Sequence, residues 1–367
     1  MTAAEVRARE QVLLAAARLA EEGLIERTWG NVSVRVSEDR FLITPSGLSY
    51  ETMREDQLAL VNITDGSWEG SVKPSSEKGV HTEAYRLRPE AGFVIHTHQY
   101  FASVAGIEGR ALTGFSHPAL GKRVPCAAYG LPGTRTLMRA AAVEMAAWPD
   151  CRAFLLRSHG ALCLGTDMED AFAAARALEE VSGERVRNQM EGWRPPDSVC
   201  FPWGDSRREG DGFWWRERLY PIEGEDLPPY AAVHAALYRA GDFQYILHTG
   251  GGAVQAVSEE GALRPWLDDL AQIAGPGVRC VQGMPPDIRR IERAVRGRNA
   301  VLLRGGGALC AGQSRDEAEA VGALVEKGCM AQLYAGRVPG CRPLRAADAG
   351  LQRLVYQRSY RKKGETC

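Results

Sequence analysis

The chain has 367 residues, 45% apolar and 25% charged, with a mean hydropathy of -0.26. That is a globular composition, long enough for two domains of ordinary size. Forty-five basic against forty-six acidic side chains leave a formal net charge of -1, which excludes the basic footprint of a nucleic-acid or anionic-membrane binder.

The first predicted element is an N-terminal helix. Glu5 to Glu22 is amphipathic, with Val12, Leu13, Ala16 and Leu19 on one face and Arg7, Arg9, Arg18 and Glu21 interrupting the apolar run. A signal peptide needs an unbroken apolar core and a small-residue cleavage site, and no later stretch approaches the roughly 18–20 apolar residues of a membrane span. The expected location is the cytoplasm. Nine cysteines, an odd number without a CxxC pair, then read as reduced thiols, with Cys126, Cys163 and Cys310 as small buried hydrophobes.

Three polar turns follow the helix. Thr28-Trp29-Gly30-Asn31-Val32-Ser33 and Thr44-Pro45-Ser46-Gly47 each put small polar residues and glycine at a strand end, where backbone donors can approach an anion closely. Pro74-Ser75-Ser76-Glu77 reads either as a helix N-terminus, capped by Ser75 or Ser76, or as a phosphate cradle with a proton-carrying carboxylate. Phe93 to His98 is a predicted strand carrying His96-Thr97-His98. Residues i and i+2 of a strand share a face, so both imidazoles can reach one cation. A third, His159, ends the strand Phe154 to Arg157. Three histidines with an open fourth position are a catalytic zinc arrangement. A helix from Met168 to Met190 follows, with Ala171, Phe172, Ala175, Leu178 and Val181 on one face and Asp167 as its N-cap.

The chain then repeats itself. Ala153 to Gly165 recurs as Ala300 to Gly312, with nine of thirteen positions identical. Upstream, Val80-His81, Tyr85-Arg86 and His96-Thr97 are echoed by Val233-His234, Tyr238-Arg239 and His248-Thr249. This predicts a duplicated domain. Its expected limits are 1–190, a Pro- and Trp-rich connector at 191–229 that packs across both domains, a truncated second copy at 230–340 lacking any counterpart of residues 1–76, and a basic, solvated tail at 341–367. Alternating strands and helices predict an α/β architecture. In the second copy the positions of His96, His98 and His159 hold His248, Gly250 and Gly306, and that of Glu77 holds Tyr230. This half is expected to bind no catalytic metal. Its glycine clusters, 250–252 and 305–307, read as relaxed turns because the strand–GxxxxGK–helix context of a phosphate loop is missing.

Taken in order, Gly30-Asn31-x-Ser33, Thr44-Pro45-Ser46-Gly47, Pro74-Ser75-Ser76-Glu77, His96-x-His98, Val124-Pro125-Cys126-Ala127 with Tyr129, Gly133-Thr134-Arg135 and His159-Gly160 resemble the class II aldolase/adducin family. The resemblance spans residues 1 to about 190 and part of the second copy. It implies an α/β/α sandwich around a largely antiparallel sheet. It also implies Zn2+, or another divalent metal, on His96, His98 and His159, with Glu77 as acid/base. Asn31, Ser46, Gly47, Ser75 and Ser76, with Thr28, would hold the phosphate of a phosphorylated sugar, and Tyr129 resembles a family tyrosine near the reacting hydroxyl. The implied reaction is cleavage or formation of a ketose 1-phosphate through a metal-stabilised enediolate. Glu rather than Asp at position 77 resembles the fuculose-phosphate aldolase branch, whereas Thr28-Trp29-Gly30 resembles the 4-epimerase branch. A sugar-phosphate epimerase or dehydratase and a noncatalytic adducin-like interaction protein are the alternatives. Family members resemble four-fold rings, so a two-domain chain is expected to close as a homodimer, a pseudo-tetramer.

Overall fold

A computed structural model describes residues 2–27, 29–196, 202–224 and 226–360, with side chains through 358. It divides into two compact units, Met1–Gln189 and Met190–Lys362.

In the first unit the strands are β1 (Asn31–Arg35), β2 (Arg40–Ile43), β3 (Ala59–Asn62), β4 (Trp68–Glu69), β5 (Phe93–Thr97), β6 (Leu112–His117), β7 (Gly121–Val124), β8 (Cys126–Ala127), β9 (Ala153–Leu156) and β10 (Gly160–Gly165). Its helices are α1 (Ala3–Glu21), α2 (Lys78–Leu87), α3 (Tyr100–Gly106), α4 (Arg135–Ala147) and α5 (Met168–Gln189). Eight strands form one sheet in the order β4-β3-β2-β1-β5-β10-β9-β8, and β6 and β7 form a separate ribbon. All neighbours in the sheet are antiparallel except β8 and β9. The central strands are buried along their whole length, which is why they read as continuous apolar runs rather than alternating ones. Ile43, Val61, Val94, Phe154 and Leu162 point to one face and meet Val80, Ala84, Leu137 and Met145 of α2 and α4. The intervening residues, such as Val32 and Ile95, are equally buried beneath α1 and α5, which pack on β1 and β5. The expected class II aldolase-like sandwich with a largely antiparallel sheet is the fold found. The predicted cap also forms: Asp167 accepts the Asp170 N–H at 2.9 Å, and at the equivalent place in the second unit Ser314 accepts that of Glu317 at 3.0 Å.

The second unit contains β11 (Ser206–Glu209), β12 (Gly212–Trp215), β13 (Arg218–Pro221), β14 (Tyr245–Thr249), β15 (Arg279–Val281), β16 (Ala300–Leu303) and β17 (Gly307–Gly312). Its helices are α6 (Pro229–Ala240), α7 (Gly252–Glu260), α8 (Asp268–Ile273), α9 (Ile288–Val295), α10 (Arg315–Ala335) and α11 (Ala346–Val355). The sheet order β13-β12-β11-β14-β17-β16-β15 repeats β3-β2-β1-β5-β10-β9-β8 strand for strand. Two expectations are corrected here. Residues 206–221 are not a connector but the first three strands of the second sheet, so this copy retains the counterpart of β1 to β3, with no helix before them among its described residues. Their aromatic residues supply its core, with Phe213 and Trp215 buried alongside Trp203. The hairpin between β12 and β13 turns on Arg216 and Glu217, both at positive φ (48° and 62°). That geometry is the usual two-residue hairpin turn, made by residues that do not announce it. The tail is likewise not solvated along α11: that helix packs on α8, and the buried Arg353 donates to the carbonyls of Gln272 and Ile273 and to the Asn299 side chain; residues 361–367 lie outside the described residues.

The seven described cysteines are free thiols, and burial pushes those of Cys126 and Cys163 up to about 12. Among the described residues no helix is long and apolar enough to cross a membrane.

Candidate active site and metal centre

Strand β5 places His96 on the α2 side of the sheet, opposite Leu162 of β10, and His98 lies one step beyond the strand end. His159 sits in the tight turn between β9 and β10, where Ser158 takes a positive φ of 57°. The three imidazoles converge: their donor nitrogens all lie within 4.8 Å of one another, and all three residues are buried. The Nε2 atoms of His96 and His98 are 3.0 Å apart. A tetrahedral zinc with Zn–N near 2.0–2.1 Å sets its ligand nitrogens about 3.3 Å apart, so the spacing fits a shared divalent ion. The tautomer fits as well. His96 Nδ1 lies 2.8 Å from the Ala161 carbonyl, which can only accept. The proton is therefore on Nδ1 and the lone pair is on Nε2, facing the cluster. Burial lowers the His96 pKa to about 3, against the opposing charge of Glu77, and so keeps the ring a neutral ligand.

Glu77 is the N-cap residue of α2 but does not cap it. Its carboxylate turns into the cluster instead, with Oε1 2.9 Å from His159 Nε2 and Oε2 3.0 Å from His96 Nε2. Asn31 at the start of β1 donates to Oε2 from Nδ2 at 3.2 Å. Burial by itself would raise the Glu77 pKa, but pairing with His96 and His159, when those rings carry a charge, outweighs it and holds the carboxyl well below its usual range. A buried, ionised carboxylate beside a metal-ligand set can accept and return a proton within a water-poor site.

The predicted anion cradle assembles in part around this carboxylate. The turn at Thr44–Gly47 bridges to Lys73–Ser75: Ser75 N–H donates to the Thr44 carbonyl and Ser46 N–H to that of Lys73, both at 3.0 Å. Gly47 has a φ of 72°, and Ser75 Oγ accepts the Glu77 N–H at 3.2 Å. Ser76 is exposed and lies against Gly133, where a Cβ would come within 3.1 Å of its own. Asn31, Ser46, Gly47, Ser75 and Ser76 are thus drawn to one end of the sheet beside Glu77. Thr28 lies outside the described residues. Tyr129 is half-buried and follows β8, the edge strand that pairs with β9.

Comparison with known proteins follows the same outline. The class II aldolase and adducin N-terminal domain family matches residues 10–184 and again 218–333. The chain belongs to the class II aldolase/adducin family. The first half of this family member is 34% identical over 190 residues to 5-methylthioribulose-1-phosphate/5-deoxyribulose-1-phosphate aldolase of Rhodospirillum rubrum, covering 51% of the chain and 84% of that protein. It is 34% identical over 160 residues to L-fuculose phosphate aldolase of Escherichia coli, covering 43% and 72%. Among solved structures, L-fuculose-1-phosphate aldolase of Thermus thermophilus is 29% identical, covering 51% of the chain and 97% of that protein, with a TM-score of 0.41.

Within this class II aldolase-family chain, the second copy shows how a site is closed. Gly30 of the first unit has a φ of 138°, and a Cβ there would lie 2.5 Å from Ile25 and 2.9 Å from the His96 carbonyl oxygen. Three residues before the equivalent serine, the second unit carries Trp203 instead, 1% exposed. Its indole stacks edge-on with Tyr230 at 4.8 Å, and a Cβ at Gly306 would lie 2.9 Å from Nε1. Two aromatic rings occupy the positions where the first copy has a glycine and a carboxylate. Of the glycine turns expected to be merely relaxed, Gly306 packs against this plug. Two residues near the first site were not singled out from sequence. Tyr50 donates to the Gly30 carbonyl at 2.7 Å, and burial together with the charge of Glu77 raises its pKa. His81 accompanies Asn31 in the wall of the site. Its only signal in the sequence was its recurrence as His234.

Proposed function

We propose that the first unit is a metal-dependent aldolase that cleaves, or in reverse forms, a ketose 1-phosphate. The observation that carries this reading is the convergence of three buried imidazole nitrogens within 4.8 Å beside a buried carboxylate. A structural metal site has no need of that unspent acid. His96, His98 and His159 would hold the ion, with Zn2+ the first choice for an all-nitrogen set. When bound, the ion supplies Lewis acidity at the substrate carbonyl, where negative charge builds as the carbon–carbon bond breaks. The chain supplies the rest. Asn31, the hydroxyls of Ser46, Ser75 and Ser76 and the main chain at Gly47 hold the phosphate and fix the register of the sugar. In the condensing direction Glu77, held ionised, removes a proton from the methylene carbon; in cleavage it takes up the proton released by the hydroxyl that becomes the aldehyde and returns it to that carbon. Burial around the cluster keeps bulk water from competing for that proton.

Tyr129, at the end of β8, is the candidate to serve the hydroxyl leaving as an aldehyde. The likeness to ring-forming family members points to a homodimer of four units with two metal sites; a stable monomer by sedimentation at assay concentration would overturn it.

The names of the relatives define the first substrates to test. The protein loaded with Zn2+ should release dihydroxyacetone phosphate from 5-deoxyribulose 1-phosphate, 5-methylthioribulose 1-phosphate or L-fuculose 1-phosphate. Turnover of a sugar phosphate without that product would favour the epimerase or dehydratase reading. Metal binding without any turnover would favour a binding module.

A further inference from the structure

Behind Asn31 lies a buried chain of side chains that no step of the proposed reaction uses. Tyr85 Oη is 2.9 Å from Ser33 Oγ, and Ser33 Oγ is 2.6 Å from His81 Nδ1. His81 Nε2 meets Asn31 Oδ1, and Asn31 Nδ2 meets Glu77 Oε2 at 3.2 Å. Ser33 and His81 are fully buried, and Asn31, Tyr85 and Glu77 are nearly so.

The polarity of this chain follows from which atoms can donate. The Glu77 carboxylate only accepts, so Asn31 must turn its amino group toward it and its carbonyl toward His81. His81 must then donate from Nε2, which leaves the Nδ1 lone pair for the Ser33 hydroxyl. Ser33 has one hydrogen and spends it on that ring, so it accepts from Tyr85. The second unit provides an independent check within the same molecule. Ser206 Oγ lies 2.7 Å from His234 Nδ1 and 2.9 Å from Tyr238 Oη, so β11 and α6 are joined by the same clasp as β1 and α2. There, His234 Nε2 lies 3.0 Å from the Trp203 carbonyl oxygen, and a backbone carbonyl cannot donate. The Nε2–H tautomer is therefore set by the clasp itself, in a unit with no carboxylate to serve.

We infer that His81 is a positioning residue, which locks the Asn31 amide so that both of its N–H groups are offered to the site, one to Glu77 and one to an anionic substrate group. An amide flips with almost no change of shape. Without a donor at the His81 Nε2 position, nothing buried prefers Oδ1 on that side. A flipped Asn31 sets a carbonyl against an ionised carboxylate and removes a donor from the anion. The clasp is a device of the fold that the first unit has extended into its site, whereas in the second it ends on the main chain. This inference rests on Glu77 being the proton carrier.

The test uses the metal-loaded full chain and three substitutions. In His81→Gln the side-chain amide nitrogen reaches the place of Nε2, and in His81→Asn it reaches only the place of Nδ1. His234→Asn makes the same cut in the second unit and serves as the control for loss of the clasp. His81→Asn should lose about 10- to 100-fold in kcat/KM, the factor of a lost hydrogen bond to a charged group. It should also bind inorganic phosphate more weakly and shift the acid limb of its pH profile upward, with metal content unchanged. His81→Gln should recover to within about threefold, and His234→Asn should lower the melting temperature but leave kcat/KM within about twofold. Equal activities for His81→Asn and His234→Asn would overturn the inference. So would a long-range 1H–15N spectrum of the unmodified protein placing the His81 proton on Nδ1, a readout that stands even if His81→Asn does not fold. If the unmodified protein cleaves no ketose phosphate, the functional reading fails, while the tautomer and phosphate measurements still decide the role of His81.

Discussion

Glu77→Gln isolates the carboxylate from everything around it. The replacement is nearly isosteric at a site only 8% exposed. The native oxygens accept from Asn31 Nδ2 at 3.2 Å and face His159 Nε2 at 2.9 Å. Glutamine keeps one oxygen and turns an NH2 group on the other neighbour. A donor facing a donor costs about 1–3 kcal/mol, a loss that a domain with about 5–15 kcal/mol of stability survives. The three imidazoles are untouched, so the metal should remain at one equivalent by elemental analysis. Turnover should not remain. A positioned proton carrier is worth about 10²–10⁴ in rate, or about 3–5 kcal/mol of barrier at 1.36 kcal/mol per decade. The assay is release of dihydroxyacetone phosphate, read as kcat. A fall of less than about tenfold would remove Glu77 from the chemistry, and loss of the metal along with activity would make it a ligand instead.

Acid should weaken both units over the same window. Burial lowers His81 and His234 to about 4 from a model-compound value of 6.5. Between those values the unfolded chain binds a proton that the folded one refuses, so stability falls as the pH drops through that range. Between pH 7 and 5 each histidine should remove about 2 kcal/mol; an unchanged urea midpoint would refute it. The lowered pKa of Glu77 acts in the same direction but only below its ordinary value of 4.5, where its stabilising charge is lost. Trp203→Ala should destabilise the second unit by about 3–5 kcal/mol, the range for a buried aromatic residue, and leave metal binding intact. A loss below about 1 kcal/mol would mean that the indole does not plug the vacated site. Removing metal with a chelator should lower the melting temperature, since an ion at 100 times its Kd contributes about 2.7 kcal/mol; coincident melts with and without chelator would argue against the three-histidine centre.

Much of this molecule could be read directly from its residues. The helices α1 and α5 announce themselves through apolar faces and, for α5, the cap at Asp167. His96 and His98 share a face because a strand has a period of two. The loss of the second site is written in Gly250, Gly306 and Tyr230. These are local rules, set within a few residues along the chain, and they need no tertiary context. What the sequence left undetermined depends on groups far apart in it. Residues 206–221 pass for a linker because Arg216-Glu217 is a poor turn signal and runs of charge flank Phe213-Trp214-Trp215; only pairing with β14 shows them to be strands. The polarity of Asn31 is decided by His81 fifty positions away, and the helix at the C-terminal end by carbonyls of 272 and 273 that Arg353 satisfies. Hydrogen-bond direction and burial are properties of the assembled sheet, since a donor has no fixed partner until folding removes water as the alternative.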